Sequence, residues 1–121
     1  MAYQNFQELP IWQEAVKLAA QIYRYFETTE LKRDFRMRDQ VRAAAVSIVS
    51  NIAEGFEYRN DKQFIRYLTY SKGSVGELIS QLYILHEADM IPEKDHRYFQ
   101  EKALELGRKI GGFIKYLQSE N

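Results

Sequence analysis

The chain has 121 residues, no cysteine, 45% hydrophobic residues, and 17 basic residues balanced by 17 acidic ones. That length fits one domain with a core of its own, and the missing cysteines exclude a disulfide framework, a thiol nucleophile and a thiolate metal site. No apolar run approaches the roughly 18 residues of a membrane span, and the opening Met-Ala-Tyr-Gln-Asn-Phe-Gln-Glu lacks the basic and apolar regions of a secretory signal, so a cytoplasmic location away from the membrane is expected.

Residues 1–9 read as a short arm with Phe6 and Leu9 as packing points. Pro10 suits the first turn of a helix, where its missing N–H is not needed. Helix 1 is predicted over about 10–28, because Ile11, Ala15, Leu18, Ile22 and Phe26 recur at spacings of three and four. Residues 29–36 break that pattern and read as a connection, with Asp34 as N-cap of the next helix.

Helix 2 is predicted over about 36–57. Between Arg42 and Glu54 it carries no charge. Val41, Ala45, Ile48 and Ile52 mark one face, Val46, Val49, Ala53 and Phe56 a second, and Ala44, Ser47 and Asn51 a third of small residues. A helix apolar or small nearly all round is normally buried nearly all round, so this stretch predicts burial against sister helices and against another subunit. Gly55 lies near its end, Tyr58-Arg59-Asn60-Asp61 reads as a turn, and Asp61 is the expected N-cap of helix 3.

Helix 3 is predicted over about 62–89. Phe64, Leu68, Ser71, Val75, Leu78, Leu82, Leu85 and Asp89 step alternately by four and three, the heptad spacing of bundle packing. Gly73 and Gly76 lie inside it at about 1 kcal/mol each relative to alanine, and close approach of another backbone is the expected compensation. Met90-Ile91-Pro92 ends the helix. Helix 4 is predicted over about 93–118 from Phe99, Ala103, Leu106, Ile110, Phe113 and Leu117, with a possible kink at Gly111-Gly112. With no stretch of period two, the fold class is all-α, and the short connections favour a single antiparallel up-down-up-down four-helix bundle over residues 1–121.

Several of these residues together resemble a known family. They are Ile11-Trp12-Gln13 with Ala15, then Gln40 to Ile48 (Gln-Val-Arg-Ala-Ala-Ala-Val-Ser-Ile), and Ser50-Asn51-Ile52-Ala53-Glu54-Gly55. Arg59, Phe64, Ser71-Lys72-Gly73-Ser74 and Glu77-Leu78 complete the set. The chain resembles, over essentially its whole length, the small bacterial four-helix proteins named after the 23S rRNA intervening sequences in which some are encoded. It departs at Val49, where the family often has proline, and at Gln63, where an acidic residue is common. The resemblance implies a four-helix bundle that assembles with itself, typically as a pentamer, and implies little about activity. The accessory protein of diversity-generating retroelements is similar in architecture; it is a basic pentameric barrel that binds nucleic acid, whereas this chain has zero net charge.

If helices 2 and 3 are antiparallel about residue 60, Ser47 lies level with Ser74, Asn51 with Tyr70 and Ser71, and Arg42 with Glu77. The motif residues Arg42, Ser47, Asn51, Glu54, Gly55, Ser71, Gly73, Ser74 and Glu77 then read as structural. Small hydroxyls let the helices approach, Asn51 and Glu54 bond across them, and Arg42 pairs with Glu77. The rival is a polar pocket of Asn51, Glu54 and Ser71. Residues 32–72 hold 9 basic and 5 acidic side chains, against net negative flanks. Arg36, Arg38, Arg42, Arg59, Lys62, Arg66 and Lys72, with Lys32, Arg33 and the interleaved Tyr58, Tyr67 and Tyr70, are the candidate contacts to RNA or DNA, since arginine and aromatics grip phosphates and stack on unpaired bases. The plainer reading is a solvated surface in two separate patches. His86 and His96 flank the predicted helix 3–4 turn and read as solvated turn residues rather than metal ligands. No phosphate loop, HExxH or nucleophile elbow occurs, and no histidine lies within helical reach of Ser47, Ser50, Ser71 or Ser74. No catalytic residue, cofactor or metal is therefore expected. The expected role is a non-enzymatic, homo-oligomeric scaffold or binding module, with a nucleic-acid-binding accessory protein as the alternative.

Overall fold

The structure is a computed structural model that describes residues 3–120, apart from the side chains of Glu30 and Lys32. Four helices make up nearly all of it: α1 (Pro10–Glu27), α2 (Phe35–Glu57), α3 (Asp61–Glu87) and α4 (Glu93–Ser119). Single 3-10 turns precede α1 (Phe6–Glu8) and α2 (Glu30–Arg33), and no strand occurs among the described residues.

The helix ends follow from local chemistry. Pro10 opens α1 at its first position. The Asp34 carboxylate accepts from the Met37 N–H at 3.1 Å and caps α2. At α3 the cap is Asn60, not Asp61: the Asn60 side-chain oxygen accepts from the Gln63 N–H at 3.0 Å, and Asp61 falls in the first turn. There it still complements the helix dipole. The far end of α3 comes two residues before the expected one. Asp89 adopts a left-handed backbone (φ 60°). The Asp89 N–H then reaches the His86 carbonyl, and the Met90 N–H reaches Leu85, the reciprocal pair that closes a helix C-terminus. Asp89 is therefore exposed and outside the stripe it extends in sequence.

The apolar stripes meet in one core. Ile11, Ala15, Leu18, Ile22 and Phe26 of α1 are buried together with Val41, Ala45, Ile48 and Ile52 of α2. Phe64 to Leu85 of the α3 stripe and Phe99, Ala103, Leu106, Ile110 and Leu117 of α4 complete it. The arm closes one end, with Leu9 fully buried and Phe6 against Trp12 at 5.3 Å. α2 packs on α1 and α3, and α4 packs on α3 and α1; α2 and α4 share no close backbone contact among the described residues. As residue number rises along α2, that of its partner on α3 falls: Gln40 meets Gln81, Ser47 meets Ser74, and Phe56 meets Phe64.

Within the subunit α2 is not buried all round. Ala43, Val46 and Ser50 are exposed, Val46 by 41%, and Val49 and Ala53 are half-buried. α2 runs unbroken through Val49, and α4 runs as one helix through Gly111-Gly112.

Within the subunit Gly73 and Gly76 meet no neighbouring backbone among the described residues; a methyl built at either has nothing within 4 Å. The close approach is at Gly55, where a Cβ would lie 2.6 Å from the Tyr67 Cβ and 3.1 Å from the Phe64 ring. Only a glycine lets α2 and α3 come this near at their joined end.

Candidate functional site

Most polar residues of the α2–α3 seam bond to one another or to the helix backbone. The Ser47 and Ser74 hydroxyls are 2.8 Å apart. The Ser71 hydroxyl donates to the Ile48 carbonyl at 2.8 Å and is fully buried. These two links cross the seam. Asn51 does not cross it: its amide donates to the Ser47 carbonyl and hydroxyl, at 2.9 and 3.0 Å, along its own helix. Glu54 is exposed. With Ser71 sealed off, Asn51, Glu54 and Ser71 do not line one pocket.

Arg42 does not pair with Glu77. Its guanidinium turns to α1, donating to the Tyr23 carbonyl at 2.9 Å and the Glu27 carboxylate at 2.7 Å, with the Tyr23 ring 4.4 Å away. Glu77 is exposed on α3, and the position level with Gln40 is filled by Gln81, whose amide donates to the Gln40 carbonyl at 3.4 Å.

The basic side chains fall in two places. Arg36, Arg38 and Arg42 lie at the start of α2. Arg36 is exposed, and Arg38 sits between Asp39 (3.2 Å) and the Phe35 ring. Arg59, Lys62 and Arg66 lie toward the other end of α2, whose 23 residues span about 34 Å. Lys32, beyond Arg33, lies outside the described side chains.

The second group holds the densest arrangement of rings and charge. Tyr58 and Tyr67 stack at 5.3 Å with planes 19° apart, and their hydroxyls are 3.3 Å from each other. Tyr70 meets Tyr67 edge-on, and Arg66 donates to the Tyr70 hydroxyl at 2.8 Å. The hydrogen bond to Tyr58, with desolvation and the nearby Glu54, pushes the Tyr67 phenol up to about 12. Arg59 adopts a left-handed backbone (φ 54°) and is held by the Phe56 ring at 4.5 Å and the Gln4 carbonyl at 2.8 Å. Lys72 stands further along α3, at the rim of an α3–α4 groove.

The histidines are not solvated turn residues. His86 and His96 stack at 4.5 Å with planes 18° apart, and Tyr83 meets His96 edge-on at 4.6 Å. His96 is 5% exposed, and its Nε2 has no hydrogen-bond partner among the described residues. Burial, and then the neighbouring His86, lower its pKa, against the pull of Glu87 and Glu93. No group of three or more metal-ligating side chains occurs among the described residues. The signal for this pair was present in the stripe spacing, since His96 stands three residues before Phe99 and His86 four after Leu82. A second feature unmarked in the sequence is Tyr25, whose hydroxyl donates to Asp95 at 2.7 Å and so ties α1 to α4. Burial and then that carboxylate raise the Tyr25 pKa.

Residues 7–112 match the model of the 23S rRNA-intervening sequence protein family. The chain belongs to this family. In fold it is similar to a protein of unknown function from the S23 ribosomal protein family of Bacteroides thetaiotaomicron, known from its crystal structure. The TM-score is 0.79 at 19% identity, over 87% of this chain and 95% of that one. No curated protein matches the chain. The family resemblance drawn from Ile11-Trp12-Gln13 and the α2 and α3 motifs is thus shown, along with an all-α fold of four helices. No helix is long and apolar enough to cross a membrane among the described residues.

Proposed function

We propose that this family member is a non-enzymatic, cytoplasmic protein, an antiparallel up-down-up-down bundle that assembles with itself and acts as a scaffold or binding module. The observation that carries this reading is the uncharged α2 face left open by the subunit, Ala43, Val46 and Ser50 with Val49 and Ala53 at its edges. Apolar area left in water stabilises association by about 25 cal/mol per Å² once covered. The falling partner numbers along the α2–α3 seam support the antiparallel course. A pentamer is the state that the family resemblance implies. Of the nine motif residues, Arg42, Ser47, Asn51, Gly55, Ser71 and Ser74 then act as packing elements, and the separation of the histidines from the serines speaks against hydrolytic chemistry. Multi-angle light scattering of the pure protein tests the reading: an oligomer at micromolar concentration supports it, and a clean monomer overturns it.

A second reading has a specific observation behind it. The stacked Tyr58–Tyr67 pair, edged by Tyr70 and flanked by Arg59, Lys62 and Arg66, has the ring-and-cation makeup that holds single-stranded RNA or DNA. A ring of subunits would repeat it around the assembly. Fluorescence anisotropy with a labelled RNA is expected to give binding that weakens steeply with salt. Affinity no tighter than about 0.1 mM at physiological salt, within the non-specific range, removes this reading.

A further inference from the structure

Four helix-interior glycines, Gly76 of α3 and Gly107, Gly111 and Gly112 of α4, line one groove of about 640 Å³ on the outer side of the α3–α4 pair. None has a positive φ, so none is there for backbone conformation. At Gly76 and Gly112 a Cβ would stand in open space. Such glycines cost a helix about 1 kcal/mol each, and the subunit alone gives nothing back at these two positions. Val75, Ile79, Leu104 and Ile114 make the groove apolar, and Lys72, Arg108 and Lys115 give it a cationic rim with no acidic residue in the lining.

The exposed face of α2 is the complement. Its middle is Ala43, Val46, Ser50 and Ala53, small enough for two helix backbones to come close. Its ends carry Asp39, Glu54 and Glu57, all exposed, with Arg36 one turn before Asp39. The uncharged stretch from 43 to 53 is about 15 Å long and the α4 side of the groove, 104 to 118, about 21 Å, at 1.5 Å per residue. Pairing this face with itself lacks that complement: run parallel it sets Glu54 and Glu57 against their own copies, and run antiparallel it offers Glu57 only Asp39, already paired with Arg38, and the single cation Arg36.

We infer that the α2 face of one subunit docks into the α3–α4 glycine groove of the next. The contact joins two different surfaces, so it propagates head to tail and closes into a ring when the rotation allows. The inference rests on the self-assembly reading above and adds which faces meet.

Light scattering on four samples tests it: the wild-type chain, Val46→Glu, Gly76→Leu, and an equimolar mixture of the two variants. Val46 is already 41% exposed and Gly76 faces open space, so both variants are expected to keep a wild-type circular dichroism spectrum. Ala43→Arg and Gly112→Leu repeat the test should either variant misfold. The wild type is expected to assemble, and each variant alone to run at the subunit mass of 14.4 kDa. The mixture is expected to give a one-to-one pair and nothing larger, because it contains one intact groove and one intact face. A wild-type oligomer that either folded variant leaves unchanged, or a mixture that forms no pair, overturns the interface alone. A wild-type chain at the subunit mass overturns the assembly reading beneath it.

Discussion

Adding one methyl group at Gly55 and at Gly73 is expected to move stability in opposite directions. Both glycines lie inside helices at ordinary φ, so alanine gains about 1 kcal/mol of helix propensity at each. At Gly73 nothing lies within 4 Å of the new Cβ, and that gain is kept. At Gly55 the methyl would stand 2.6 Å from the Tyr67 Cβ, which moves only with the α3 backbone. Ordinary carbon contact begins near 3.5 Å, so α2 and α3 must part by almost 1 Å at their joined end. The edge-on Phe56–Phe64 pair and the Tyr58–Tyr67 stack sit on that seam. Overpacking of this kind costs about 1–3 kcal/mol, and the strain of shifting backbone puts Gly55 at the upper end. Gly55→Ala is therefore expected to lose about 1–2 kcal/mol net, and Gly73→Ala to gain up to about 1 kcal/mol. Urea unfolding at fixed protein concentration, followed by circular dichroism, measures both. A Gly55→Ala protein as stable as wild type would refute the close-approach account.

Three further outcomes follow from the described contacts. Arg42→Met keeps the packing of the stem but removes the bonds to Tyr23 and Glu27; a loss of about 1 kcal/mol in urea unfolding is expected, and Glu77→Gln is expected to leave stability unchanged. Ser71→Ala removes the buried bond to Ile48 at about 1 kcal/mol, while Ser71→Leu overfills the seam and costs more. His96 has a folded-state pKa below its ordinary 6.5, so between those two values the unfolded chain binds more protons. Its contribution to stability is complete above about pH 6.5 and falls as the pH drops toward the lowered value. Thermal unfolding from about pH 7 to pH 5 is expected to show a decline that His96→Phe flattens; an equal slope in both proteins contradicts the burial account.

The heptad stripes were legible because burial on one helix face repeats the same residue types at fixed spacing. Leu68, Val75, Leu82 and Ala103, Leu106, Ile110 announce their own positions. What lay opposite each residue was not legible. Gly55 looked like a residue near a helix end, and only the Tyr67 backbone across the seam gives it its role. Arg42 was level with Glu77 by register, yet a long side chain on the flank of α2 reaches either neighbour, and the α1 carbonyl at Tyr23 is the nearer acceptor. Asn51 bonded within its own helix because the Ser47 carbonyl four residues back is always in reach of a short amide. The histidines flank a turn, which by itself suggests solvation, although His96 continues the α4 stripe toward the core.

Self-association is the claim on which the role of α2 depends. Native mass spectrometry of the wild-type chain at micromolar concentration tests it most directly. A single species at a whole multiple of the 14.4 kDa subunit, five by the family resemblance, is the expected result. A spectrum holding only the 14.4 kDa chain would leave the uncharged face of α2 without a partner and contradict the account.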